Sequence, residues 1–396
     1  MKIGISTSVI QRGQTGVSQY VFALLRELKH FAHEHEFVLF VLEEDLPLFH
    51  FVGDTMQIVK VPEWHRSPIR NIFWHQLVLP GLVRKHGIDV LHIPSYRRLL
   101  WTQPCATVAT IHDLAPFLIS NKYDWKRMFY GRFVVKGLAK RQRQIIAISQ
   151  NTSQDIQRFF HLPSSKITVI HNGLDHRRFV PAADDSAKHW IAQRHGIKTR
   201  FFLYVARFEH PGKNHVRLVQ AFNDFKQETG SDWQLILGGA DWNGAEVIHD
   251  AIAKSPFVEE IRHIGFVPDK DLPRLYQAAN IFVYPSLYEG FGMPPLEAMA
   301  SGCPVISSAR GSLAEVIGDA AEIVDPESVV SMKEALRRLS RNSSLCETFQ
   351  EKGLQRAQMF NWQTTAVETM KIYQRSLLTS KKHLSFSRAK QEVAIS

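Results

Sequence analysis

A chain of 396 residues with 44% hydrophobic and 22% charged side chains is ordinary for a globular protein but too long for one core, so two domains are expected. Its formal net charge of +10 points to anionic partners, and no apolar run approaches the roughly 18 residues that span a bilayer. Cys105, Cys303 and Cys346 are odd in number and lack metal-ligand spacing, which fits packing residues in a reducing cytoplasm.

The chain opens with an apolar strand, Lys2 to Ser6, and turns polar at Gln11, too soon for the core of a signal peptide. Thr15-Gly16 then leads into a helix carrying Val17, Tyr20, Val21, Leu24, Leu25 and Leu28 at helical spacing. Strand, glycine loop and helix in this order form a phosphate-approach geometry. Phe37–Leu42 and Gln57–Val61 are further strands, and residues 69–86 form a basic amphipathic helix with a proline break. Val90–Ile93 and Thr107–Ile111 read as parallel strands, the second ending at His112-Asp113, where Asp113 suits a cap on the next turn. Residues 123–143 form a very basic helix, followed by strands at Gln144–Ile148 and Ile167–Ile170, with Ser149 as an N-cap between them.

The alternation restarts at Phe201–Val205, Gln234–Leu237, Arg262–Ile264, Ile281–Tyr284, Val305-Ile306 and Glu322–Val324. The expected class is α/β, two doubly wound Rossmann-like domains around a cleft. Residues 1–176 form the first domain, completed by a helix at 362–379. Residues 177–198 form a linker, 199–361 the second domain, and 380–396 a disordered basic tail.

The stretch richest in chemistry is E-G-F-G-M-P-P-L-E, Glu289 to Glu297. It follows a strand; Gly290 and Gly292 permit a sharp turn, and Pro294 and Pro295 suit a first helical turn. Free N–H groups and the helix dipole favour an anion there, while Glu289 and Glu297 can accept hydroxyls. A phosphate flanked by two polyols describes a nucleotide sugar. Taken singly, a glutamate in a first turn is more often a plain dipole partner. Arg207 and Lys213, in R-F-E-H-P-G-K, lie in a loop after a strand, where two cations can clamp a diphosphate. Asp269-Lys270-Asp271 has the look of a metal motif, but both aspartates precede a helix and are assigned to capping, so no metal is expected.

The whole stretch, with its continuation A-M-A-S-G-C-P-V-I-S-S from Ala298 and the Glu315-Val316 pair, resembles the donor-binding signature of retaining glycosyltransferases of family four. That resemblance implies the GT-B architecture and transfer of a hexose from a nucleotide sugar to a glycan or lipid-linked acceptor. It assigns the diphosphate to Arg207, Lys213 and Gly16, the hexose to Glu289, and the ribose to Glu297. Gly290, Phe291, Gly292, Met293 and Pro294 complete the donor loop; Gly265, Phe266 and Val267 read the base through backbone groups. In T-I-H-D-L-A-P-F, His112 resembles the family's active-site histidine. The chain departs from the family in having Thr15-Gly16 for two glycines and Ala206 for a glycine before Arg207. The motifs most resemble those of mannosyltransferases, which implies GDP-mannose as co-substrate and no other cofactor. A sugar-nucleotide 2-epimerase, or a non-catalytic nucleotide-sugar binder, remains the alternative.

Two stretches, 64–86 and 122–143, combine cations with aromatic residues, such as Trp64, Phe73 and Trp74, and Trp125, Phe129 and Phe133. They suit attachment to an anionic membrane surface from the cytoplasm. The competing reading is that the aromatics face the core and the cations form a solvated face. No nucleic-acid module is evident.

Overall fold

The computed structural model describes residues 1–13, 15–118, 131 and 134–393, and the side chains of these save 116 and 379–393. It divides into two compact units, Met1–Gly173 with Trp362–Ser396, and Leu174–Asn361.

The first unit is built on β1 (Lys2–Ser6), β2 (Glu36–Leu42), β3 (Gln57–Val61), β4 (Val90–Ile93), β5 (Ala106–Ile111), β6 (Gln144–Ala147) and β7 (Ile167–Val169). They pair in parallel in the order β3-β2-β1-β4-β5-β6-β7. Parallel strands covered on both faces read as unbroken apolar runs, and β5 is buried at every residue. Growth of the sheet reverses between β1 and β4, so ligands are expected beyond the carboxyl ends of these strands.

The helix Gly16–Leu28 lays Tyr20, Val21, Leu24, Leu25 and Leu28 on this sheet. The terminal helix, Trp362–Val393, buries Ala366, Met370 and Tyr373 in the same core, which is why it belongs to the first unit. It runs past residue 379, where the sequence reading ends it. The residues beyond include Lys, Arg, Ala, Gln and Glu, good helix formers, and neither Gly nor Pro interrupts them.

Residues 68–85 form a helix Pro68–Phe73, a π-helical turn Trp74–Val78 and a second helix Leu79–Lys85. Asn71, Trp74, His75, Leu79 and Val83 face inward. Ile69, Phe73 and Leu77, each four residues apart, face outward and are 69%, 59% and 74% exposed. Most of the basic stretch 122–143 lies outside the described residues; of its end, Val135–Arg141 is helical. Among the described residues no helix is long and apolar enough to cross a membrane.

The second unit repeats the plan with β8 (Phe201–Val205), β9 (Gln234–Gly238), β10 (Ile261–His263), β11 (Ile281–Tyr284), β12 (Val305–Ser308) and β13 (Glu322–Val324). All pair in parallel, in the order β10-β9-β8-β11-β12-β13. Its reversal lies between β8 and β11, the two strands that lead into the Arg207 loop and the Glu289 loop. Residues 177–198, expected as a linker, carry a helix, Ser186–His195, with Ala187 and Ile191 buried. The cysteines are unpaired.

Candidate functional site

In the second unit, β11 ends at Tyr284 and the chain turns through Pro285–Gly292 into the helix Met293–Ala300. Gly292 has φ +123°, and a Cβ there would lie 2.8 Å from the Leu313 side chain, so only glycine fits this turn. Ser312 fixes the loop by donating from its backbone N–H and its hydroxyl to the Glu289 carbonyl, at 3.2 and 2.9 Å. The Lys213 loop is tied to it as well, since the Leu287 N–H donates to the Gly212 carbonyl at 3.0 Å.

Within this frame Lys213 and Glu289 form a partly buried ion pair, Nζ to Oε1 at 2.6 Å, each side chain 16% exposed. The same oxygen accepts from the Ser286 hydroxyl at 2.6 Å and the Tyr284 hydroxyl at 3.0 Å. Burial opposes ionisation of Glu289, but Lys213 and the two hydroxyls outweigh it and hold its pKa below the usual value. Lys213 is likewise desolvated, and Glu289 nonetheless raises its pKa, so both groups are charged at neutral pH. The sequence reading placed these two on separate parts of a substrate; the structure joins them to each other.

Glu297, on the inner turn of the same helix, differs. Burial pushes its pKa up to about 7, although the Tyr276 hydroxyl donates to Oε2 at 3.0 Å and Arg178 favours the anion. Arg207 is half exposed, 3.4 Å from Glu209 and with its guanidinium 4.9 Å from the centre of the Trp242 ring. Gly265 and Val267 are half-buried and Phe266 is exposed, just beyond β10. The Gly265 carbonyl already accepts the Gly239 N–H at 2.8 Å.

One expectation, the Asp271 cap, needs correction. Phe291 is buried edge-on against Phe360, so its side chain serves packing and only its backbone can meet a donor. Asp271 stands at the start of the helix Leu272–Ala278 but makes no side-chain cap bond; its carboxylate lies 3.8 Å from Arg194. Gly16 is the first residue of its helix, and a Cβ added to it would meet nothing within 4 Å, so the fold does not demand glycine there. Pro294 and Met293 form the half-buried first turn of their helix, as expected. Asp113 does cap, accepting the Ala115 N–H at 3.1 Å.

His112 and Gly16 belong to the first unit. Nε2 of His112 lies 3.2 Å from the Pro94 carbonyl, and the Tyr20 ring meets the imidazole edge-on at 4.8 Å. A carbonyl only accepts, so Nε2 carries the proton and Nδ1 a lone pair. Burial lowers the pKa to about 4 despite Asp113, so the ring is neutral at pH 7. Such a group accepts a hydrogen bond and is not a cation for phosphate.

The residues that sequence reasoning passed over are supports: Tyr284, Ser286, Tyr276, Ser312 and Glu209. Tyr284 and Ser286 carried a signal, polar groups at a strand's carboxyl end just before Glu289. Among the described residues, Asp241, His249 and His263 could together ligate a metal. Each has a protein partner, His249 on Asp241 at 2.9 Å and His263 on the Gly239 carbonyl at 2.8 Å.

Both halves of the chain match known family models. Residues 14–178 match the sequence model of Glycosyltransferase Family 4, and residues 189–356 that of Glycosyl transferases group 1. The chain belongs to the family-four glycosyltransferases. It is 29% identical over 392 residues to the O-antigen chain mannosyltransferase B of Escherichia coli, covering 94% of this chain and 99% of that one. It is 28% identical over 348 residues to the O-antigen chain mannosyltransferase RfbU of Salmonella typhimurium, covering 85% and 90%. Among solved structures it resembles sucrose-phosphate synthase from Thermosynechococcus elongatus, with TM-score 0.78, 19% identity and coverage of 96% and 100%. The fold of this glycosyltransferase is therefore GT-B, two Rossmann-like domains.

Proposed function

We propose that this glycosyltransferase moves mannose from GDP-mannose to a glycan or lipid-linked acceptor in polysaccharide assembly, with retention at the anomeric carbon. The observation that carries the donor reading is the Lys213–Glu289 pair, braced by Ser286 and Tyr284 beside a helix N-terminus. Glu289 Oε1 is occupied by three donors, which leaves Oε2 for a sugar hydroxyl. The Lys213 ammonium has three N–H bonds, of which Glu289 and Tyr284 take two. The third serves the departing diphosphate, with Arg207 and the Met293 N–H at the positive end of its helix. These cationic and dipolar groups supply the leaving-group stabilisation, so no metal is required. Glu297 takes the ribose hydroxyls, and His112, as a neutral acceptor, takes a hydroxyl of the hexose. The acceptor attacks from the face the diphosphate leaves, and its proton passes to that phosphate. Mannose and the O-antigen context rest on the named relatives.

The outward row Ile69, Phe73 and Leu77, with Arg70, Arg84 and Lys85 exposed beside it, supports attachment to an anionic membrane from the cytoplasmic side. A lipid-borne acceptor would be met there.

The test of the donor reading is a thermal-shift series with GDP, UDP and ADP, followed by turnover with GDP-mannose in EDTA. Stabilisation by GDP and full turnover without divalent ions are expected. Stabilisation by UDP alone overturns the base assignment, and turnover restored only by Mg²⁺ or Mn²⁺ overturns metal independence.

A further inference from the structure

Tyr20 closes the T-G-V-S-Q-Y stretch at the start of the first long helix, and the donor reading gives it no task. It is 2% exposed, yet it keeps a hydroxyl where phenylalanine would pack without needing a partner. That hydroxyl lies 3.1 Å from Thr110 Oγ1. Thr110 Oγ1 is in turn 2.8 Å from Nε2 of His92, and Nδ1 of His92 is 2.7 Å from the Tyr373 hydroxyl. Four buried polar side chains thus form one line through the first unit, contributed by the Gly16 helix, β5, β4 and the terminal helix. His92 is neutral, because burial lowers its pKa to about 3, so its ring has one N–H and donates one of its two bonds while accepting the other. A buried polar line of this kind costs more to desolvate than an apolar core and in return holds one arrangement.

What stands at its end is His112. The Tyr20 ring lies edge-on to that imidazole, 4.8 Å between centres and 81° between planes, and Trp362 of the terminal helix meets Tyr20 at 5.8 Å. Pro94 fixes the protonated nitrogen from the other strand end. We infer that Tyr20 is a positioning residue for His112, held in place by the line Thr110–His92–Tyr373, so that the terminal helix sets the orientation of the imidazole. A tilt of the ring would move the Nδ1 lone pair off its target, and misplacements on the order of 1 Å are costly in such sites. The inference rests on the reading of His112 as a site residue.

The experiment compares Tyr20→Phe, Tyr373→Phe and His112→Ala in the full chain, using whichever of GDP-mannose and UDP-glucose it turns over. Tyr20→Phe keeps the ring and removes only the hydroxyl; Tyr373→Phe leaves Nδ1 of His92 unpaired. Both are expected to lower kcat about five- to twentyfold with KM for the donor within about twofold. In ¹⁵N-histidine spectra the Nε2-protonated form of His112 should give way to exchange-broadened signals. If Tyr373→Phe does not fold, Tyr20→Phe decides. Loss of turnover in His112→Ala, with wild-type kcat and an unchanged His112 signal in the folded tyrosine variants, overturns the positioning role alone. Wild-type turnover in His112→Ala overturns the reading of His112, and this inference with it.

Discussion

Lys213 and Arg207 look equivalent in the sequence, two cations in one loop, but their surroundings separate them. Lys213 is mostly covered against Glu289, and removing one partner leaves a poorly solvated charge, at a cost of roughly 1–3 kcal/mol. Arg207 is half exposed, with its nearest carboxylate at 3.4 Å, and solvent screens it. Lys213→Ala should therefore lower both the melting temperature and turnover, the latter at least tenfold, because charge-assisted bonds are worth about 1.5–3 kcal/mol each. Arg207→Ala should also cut turnover about tenfold while its melting curve overlays the wild type. Paired melts and steady-state rates on the two variants check this. Normal turnover in Lys213→Ala would remove it from the site, and a large melting shift in Arg207→Ala would contradict its half-exposed placement.

The strands were legible because buried parallel strands are unbroken apolar runs; Lys2–Ser6, Gln57–Val61 and Ile281–Tyr284 are found at the expected bounds. The Glu289 loop was legible because glycine, proline and glutamate each have a physical task there. The pairing of Lys213 with Glu289 and the bracing of Glu297 by Tyr276 were not, since groups from separate segments meet only once the sheet order is known. Nor could composition decide which way residues 68–85 face. The π-helical turn Trp74–Val78 adds a residue to the helical repeat, burying Trp74 and His75 while Phe73 and Leu77 point outward. With Arg70, Arg84 and Lys85 nearby, this row should bind anionic vesicles, each cation near the surface contributing about 1 kcal/mol. Co-sedimentation with phosphatidylglycerol vesicles is expected at low salt and should fade at high salt. Phe73→Asp with Leu77→Asp should abolish it. Equal binding by that double variant, or none by the wild type, would leave the row without a membrane role.

At the scale of the whole chain the two units differ in acid sensitivity. His75, His92 and His112 of the first unit have pKa values lowered by burial to about 3, 3 and 4; in the second unit His215 is lowered to about 3. The unfolded chain takes up these protons near pH 6.5 and the folded one does not, so stability is complete above about pH 6.5 and falls towards pH 4. Glu297 acts in the opposite sense. Its folded value of about 7 exceeds the ordinary carboxylate value, so the second unit gains stability as pH falls from 7 to about 4.5. The first unit should therefore unfold first on acidification, and scanning calorimetry at pH 7.5 and 5 should separate the two transitions. Assignment by tryptophan fluorescence of a Trp74→Phe variant checks which unit melts; prior loss of the second would refute the ordering.

The terminal helix, finally, gives the chain a schedule. Its Ala366, Met370 and Tyr373 complete a core whose sheet is made of the first 173 residues, and the entire second unit is threaded between them. On the ribosome the sheet emerges long before the helix that covers it, whereas the second unit is continuous and leaves the exit tunnel with all its parts. The half translated first is thus the half finished last, and throughout synthesis its bare apolar face needs either a chaperone or speed.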